Sequence, residues 1–116
     1  MGITFKENVC DIRNSKVIDV INELLSFGIQ ISVTDPYADK EEVKHEYGID
    51  LMDYDEKIKY DAIVIAVNHD VFKKNLTLAK LKNHLCCNGK KGVIIDCKWL
   101  LDKSSIESSD LLYWRL

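Results

Sequence analysis

The residues whose types and spacing could do chemistry are concentrated near the start of the chain, in Thr4-Phe5-Lys6-Glu7-Asn8-Val9-Cys10-Asp11-Ile12-Arg13-Asn14-Ser15. Lys6 offers a point charge and Arg13 a planar fork of donors, and both suit phosphate oxygens. Asp11 stands where it can orient a neighbouring donor. On the residues alone, anion binding competes with the plainer reading of a solvated basic loop. Elsewhere the signals are weaker. Asp35 follows an alternating segment, as does the acidic residue that takes a ribose in dinucleotide folds. No glycine loop precedes it and Pro36 follows at once, so a turn-capping role is expected. His69 is expected to cap a helix or face solvent, and His45 and His84, among charged residues, to lie on the surface. Trp99 and Trp114 could stack a flat ring, but packing is the commoner fate of tryptophan. Cys10, Cys86, Cys87 and Cys97 form no CxxC pair and an unpromising disulfide framework. Reduced cysteines in a cytoplasmic protein are expected, with the Cys86-Cys87 pair at a helix end and no metal site.

These residues need elements to hold them. Val17, Ile18, Val20, Ile21, Leu24 and Leu25 recur at helical spacing over residues 15–27, with Asn14 or Ser15 as the cap and Gly28 as the left-handed stop. Ile29, Ile31 and Val33 alternate with polar residues as a strand should, and Asp35-Pro36 ends that strand. A polar helix is expected over residues 39–47, closed by Gly48, then a short edge strand over residues 49–51. The unbroken apolar run from Ala62 to Val67 predicts a strand buried on both faces, the habit of parallel sheets. Residues 76–85 fit a helix, residues 88–92 a turn, and Val93-Ile94-Ile95 a second buried strand ending at Asp96. Residues 101–109 read as a polar loop, and residues 111–116 become apolar around Arg115. Strands separated by helices predict a single α/β domain over residues 1–116, a Rossmann-like three-layer sandwich with a mostly parallel sheet. In such sheets ligands bind beyond the carboxyl ends of strands, where helix N-termini point their free N–H groups. The loop carrying Lys6 and Arg13 has that setting.

The chain has 116 residues and a net charge of −3, so no global field draws it to nucleic acid or to an anionic membrane. Its composition is that of a folded domain, and no segment approaches the roughly 18 apolar residues of a membrane span.

The string Gly2 to Leu24 resembles the start of the C-terminal domain of UDP-glucose and GDP-mannose dehydrogenases, approximately G-x-x-F-K-x-x-x-x-D-x-R-x-S before a helix. Asp35-Pro36-Tyr37, the run from Tyr60 through His69 to Phe72, and Val93 to Lys98 are similar to later segments of that family. Tyr113-Trp114-Arg115-Leu116 resembles the subgroup acting on UDP-N-acetylhexosamines in bacterial surface-polysaccharide synthesis. The resemblance implies a UDP-sugar-binding domain of an NAD-dependent enzyme that oxidises a C6 alcohol to a carboxylate. It implies that Phe5 and Lys6 line the nucleotide-sugar pocket and that Arg13 reaches toward the NAD pyrophosphate. Lys98 falls where relatives often carry a basic residue, commonly arginine, near the nucleotide. It also implies that NAD and the catalytic cysteine belong to N-terminal and central domains absent here, so the chain alone is expected to be inactive. No G-x-G-x-x-G occurs, and none of the four cysteines inherits the catalytic role. Full-length relatives are implied to be homodimers.

Relatives have further apolar residues ahead of the glycine matched by Gly2, so a truncated first strand is expected, from a gene fragment or a trimmed version of a longer protein. Alone, the chain is expected to be a monomer or to associate through the exposed sheet edge. Two other functions compete. One is a non-enzymatic α/β module with weak or no nucleotide binding. The other, a phosphoacceptor domain built on Asp96, lacks the acidic cluster that a magnesium site would need, since Phe5-Lys6 stand there instead.

Overall fold

The computed structural model describes residues 1–86 and 89–116. Cys87 and Asn88, which belong to the expected cysteine pair and turn, lie outside the described residues. Three strands, β1 (Ala62–Ile65), β2 (Val93–Asp96) and β3 (Leu112–Arg115), form a parallel sheet in that order. Ile63 pairs with Ile94, which pairs with Tyr113. Parallel neighbours need crossovers. Here α3 (Asp70–Asn75) and α4 (Leu78–His84) lead from β1 to β2, and α5 (Lys103–Glu107) leads from β2 to β3. The fold is the expected Rossmann-like α/β arrangement.

Sequence chemistry explains most element ends. In α2 (Lys40–Tyr47) the Asp39 carboxylate accepts from Glu42 N–H, and Gly48 at φ 68° closes the helix. Thr77 caps α4 in the same way through Lys80 N–H. Helix α1 (Val17–Ser26) starts later than expected, behind Lys16, with no side-chain cap. Ser15 is buried instead, and its hydroxyl accepts a long 3.4 Å bond from Val17 N–H. Only Ile21 of α1 is buried; Val20 and Leu25 stay about half exposed, because the apolar stripe is wider than the line of contact.

Two apolar clusters hold the domain. Ile63, Ile65 and Ile94 of the sheet pack with Phe72, Leu76, Leu81, Leu101 and Ile106 from the α3–α5 side. Ile3, Ile12, Ile21, Val33, Val43 and Leu51 form the second cluster, under α1, α2 and the first loop. The sheet is not buried evenly on both faces as its apolar runs predict. Ile63 and Ile65 are buried, while Val64 between them is half-buried and Ala62 is exposed. Alternation along a strand divides an apolar run between two unlike surroundings.

Other segments also differ from expectation or were not foreseen. Neither residues 29–34 nor residues 49–51 form the expected strand; Val33 makes a single parallel bridge to Leu51. The reason lies beside it, where only Met1 and Gly2 stand between this segment and β1. Met1 N donates to Val64 O at 2.6 Å, Ala66 N donates to Met1 O at 2.9 Å, and Gly2 N donates to Thr34 O at 2.8 Å. Two residues cannot sustain a ladder on both sides, and residues 1–5 form no strand. Helix α3 is unforeseen because it buries only Phe72, too little apolar content to show a period. Helix α5 lies where a loop was expected; its N-cap Asp102 accepts from Ser105 N–H, and Ile106 is its one buried residue. β3 turns its apolar Leu112 and Trp114 outward and half-buries Tyr113 and Arg115. Among the described residues no helix is long and apolar enough to cross a membrane.

Candidate functional site

Three chain segments end together at the carboxyl side of the sheet: the loop after Ile3, the turn at Asp35 and the turn after β1. Their meeting point is a buried carboxylate. Asp35 Oδ2 accepts from Ile3 N at 2.7 Å and Thr4 N at 3.3 Å, and Oδ1 accepts from Tyr37 N at 2.8 Å and Ala38 N at 3.1 Å. His69 Nε2 lies 3.0 Å from Oδ2, and both side chains are fully buried. Burial alone would push the Asp35 carboxyl up, but donors from Ile3, Tyr37 and the His69 ring outweigh it and hold it below the usual carboxylate range. The turn-capping role expected of Asp35 is present, through Tyr37 and Ala38, with a larger task added.

The histidine tautomer follows from its partners. Asn8 N–H donates to His69 Nδ1 at 2.9 Å, so Nδ1 must offer a lone pair and the proton sits on Nε2. That proton is shared between Asp35 and Thr4 Oγ1 at 3.2 Å, while the Thr4 hydroxyl donates onward to Lys6 O at 2.9 Å. Tyr37 and Phe72 rings cover the imidazole at centroid distances of 4.9 and 5.3 Å. Asn8 is held a second time, since its side chain donates to the Asp70 carboxylate and accepts from Asp70 N–H, both at 2.9 Å. His69 is therefore neither solvent-facing nor a side-chain cap, although its backbone does precede α3. His84 is also buried, contrary to expectation, between Ile58 O and the Tyr54 hydroxyl; His45 is exposed as expected.

The chain belongs to the UDP-glucose/GDP-mannose dehydrogenase family. The model of that family's UDP binding domain matches residues 1–103. The chain is 40% identical over 111 residues to the UDP-N-acetyl-D-glucosamine 6-dehydrogenase of Pseudomonas aeruginosa, covering 96% of this chain and 25% of that enzyme. It is 36% identical over 116 residues to protein CapL of Staphylococcus aureus, covering all of this chain and 26% of CapL. In fold it matches the NDP-N-acetyl-D-galactosaminuronic acid dehydrogenase of Methanosarcina mazei with a TM-score of 0.79 at 22% identity, over 98% of this chain and 23% of that one. The chain thus spans about a quarter of the length of the curated relatives it matches.

Against this UDP binding domain the four residues singled out in the sequence fall into two groups. Phe5, Lys6 and Arg13 stand on the first loop. Phe5 is 56% exposed, and Lys6 makes no ion pair among the described residues. Arg13 is already forked onto Asp11 through Nε at 3.0 Å and an Nη at 3.1 Å, with its guanidinium in open solvent. Lys98 stands apart, on the turn after β2, with its side chain exposed and its N–H given to Asp96 Oδ1. No hydrogen bond or ion pair joins Lys98 to the other three among the described residues. Asn68 approaches it, donating to Lys98 O at 3.5 Å, and the Asn68 Oδ1 is buried without a partner among the described residues.

Trp99 and Trp114 are not packed as expected; each is about two-thirds exposed. Trp99 sits at φ 57° with its indole N–H on Leu116 O, and the Arg115 guanidinium lies 5.2 Å over its ring. Asp96 cannot serve as an accessible phosphoacceptor, because its carboxylate is fully buried under N–H donors from Lys98, Leu100 and Leu101 and the Tyr113 hydroxyl. Two clefts, of about 80 and about 340 Å³, flank Met1 and Thr34, and neither is lined by Phe5, Lys6, Arg13 or Lys98. The basic residues face open solvent.

Proposed function

We propose that this chain supplies the nucleotide-sugar-binding face of an NAD-dependent UDP-sugar 6-dehydrogenase serving surface-polysaccharide synthesis. The observation that carries the reading is Lys6, exposed and without an ion pair among the described residues, on a loop whose backbone is fastened from below, in a chain matched to a UDP binding domain over residues 1–103. Lys6 meets diphosphate or sugar oxygens, Phe5 covers the sugar side, and Lys98 neutralises charge from the β2 side. The names of the relatives favour a UDP-N-acetylhexosamine.

NAD fits this chain at one edge only. The chain has no glycine-rich turn for a pyrophosphate, and Arg13 is the side chain whose fork suits one. When bound, NAD accepts the hydride from the alcohol carbon. What Arg13 does is exchange Asp11 for a phosphate pair, a swap between charged partners in solvent. Because the basic groups stand on an open face, the pocket closes when NAD-binding and central domains cover it. Catalysis then depends on groups held together across domains, and the full-length enzyme is expected to be a cytoplasmic homodimer.

The test is a titration of UDP into this chain, followed through backbone amides by NMR, with uridine and NAD as comparisons. Shifts at Phe5, Lys6, Arg13 and Lys98 that are larger for UDP than for uridine support a diphosphate site, and Lys6→Ala removes most of the response. Amides unmoved at saturating UDP in the folded chain would mark it as a module without a nucleotide site of its own.

A further inference from the structure

We propose that His69 and Asp35 are positioning residues for the nucleotide loop, and that the His69 Nδ1 bond to Asn8 sets where Lys6 stands. This rests on the function proposed above for Lys6, but the arrangement itself is observed. Between Thr4 and Asn8 the loop is held at both ends by one imidazole. Nε2 reaches Thr4 Oγ1, whose hydroxyl fixes Lys6 O, and Nδ1 receives Asn8 N–H. Lys6 is therefore two residues from either attachment. Its side chain is free in solvent while its backbone is tied through Thr4 to a buried ring.

A charged carboxylate and a polar ring are costly to bury, and apolar residues of like volume would serve stability as well or better. What apolar residues could not do is direct four backbone N–H groups from two segments and a histidine at one point. Asp35 takes Ile3 and Thr4 from one segment and Tyr37 and Ala38 from another. His69 carries that fixed point across to Asn8, which Asp70 holds from the α3 side. The pair touches neither nucleotide nor reacting atoms; it acts through the loop.

The two ring nitrogens can be tested separately. In His69→Asn the amide oxygen stands near the Nδ1 position and can accept from Asn8 N–H, while the contacts to Asp35 and Thr4 Oγ1 are lost. In His69→Gln the amide nitrogen stands near the Nε2 position and can donate to Asp35, while Asn8 N–H is left without its partner. Both are made in the full 116-residue chain, and three things are measured: unfolding midpoint, amide shifts of Lys6 and Asn8, and UDP affinity. The expected result is that His69→Asn disturbs the Lys6 and Asn8 resonances less than His69→Gln does and binds UDP nearer the wild-type level. His69→Gln shifts them and weakens UDP by about tenfold, the factor carried by one good hydrogen bond, without a matching difference in unfolding midpoint.

If UDP affinity and the loop resonances instead follow the unfolding midpoint in both variants, the pair is structural only and the proposal fails. If the wild-type chain binds no UDP, the functional reading fails, and the proposal is judged on the resonances alone. Identical Lys6 and Asn8 shifts in the two variants overturn it.

Discussion

Met1 shows how much one residue's surroundings can change. Its ammonium is buried against Val64 O, and loss of hydration lowers its pKa from 8.0 to about 6, against the opposing pull of Asp35. Between those two values the unfolded chain holds a proton that the folded chain has released. Stability of this 116-residue chain therefore rises with pH across that window, by up to roughly 2–3 kcal/mol, and the gain is absent below it. Following Met1 resonances against pH checks the cause directly, and a midpoint near 8 removes the basis for the effect. Asp35 has the same sign in a more acidic range, as its carboxyl is held low in the folded state. Its contribution is complete above the ordinary carboxylate value and is lost as acid protonates it. Cys97 is pushed up by burial and by neighbouring Asp96, so it stays a thiol at neutral pH, whereas Cys10 is exposed.

The elements meet most tightly where the first segment passes the end of β1. Gly2 has φ 83°, and a Cβ built on it would lie 2.5 Å from Val67 Cβ. Neither the backbone conformation nor the space admits a side chain. Gly2→Ala is expected to destabilise the domain by about 2–4 kcal/mol through strain and displacement of Val67. Urea unfolding measures this, and a loss below about 1 kcal/mol would show that the segment moves aside freely. Since Ile3 and Thr4 follow at once and donate to Asp35, the same variant should also disturb the amides of the loop that carries Lys6.

Across the whole molecule, Asp96 joins the sheet to its carboxyl-end turns. Its two oxygens serve Lys98, Leu100 and Leu101 N–H and the Tyr113 hydroxyl, linking β2, the turn that carries Lys98, and β3. Asp96→Ala leaves several donors without an acceptor inside the fold, and a loss of about 3–5 kcal/mol is expected. Asp96→Asn keeps one acceptor oxygen and should fall between the two. Equal unfolding midpoints for wild type and Asp96→Ala would mean that water replaces the carboxylate at no cost. The second site of the fold, around Asp35, is built on the same plan. In both, an acidic residue at the end of an extended segment gathers backbone N–H groups, so the loops that follow rest on buried carboxylates.

Much of this could be read from residue types in order. The buried strands at residues 62–65 and 93–96, the Asp39 cap, the Gly48 stop and the family resemblance on Gly2 to Leu24 are local patterns, and local patterns survive into the fold. The sequence could also place Lys6 and Arg13 on a loop before a helix, because charge and helical period both show there. It could not show that His69 and Asp35 meet, as they are 34 residues apart and their contact depends on two turns ending side by side. One signal was present, since both follow β-like segments whose carboxyl ends share one side of the sheet. Nor could periodicity reveal α3 and α5, which each bury one residue, or the outward turn of Trp114. Sequence by itself determined helices α1, α2 and α4, strands β1 and β2 and which residues carry charge, because these are set by neighbours along the chain. Tertiary structure alone decided which polar groups are buried together, how the His69 proton is placed and which apolar residues remain in solvent, because those depend on what packs across space.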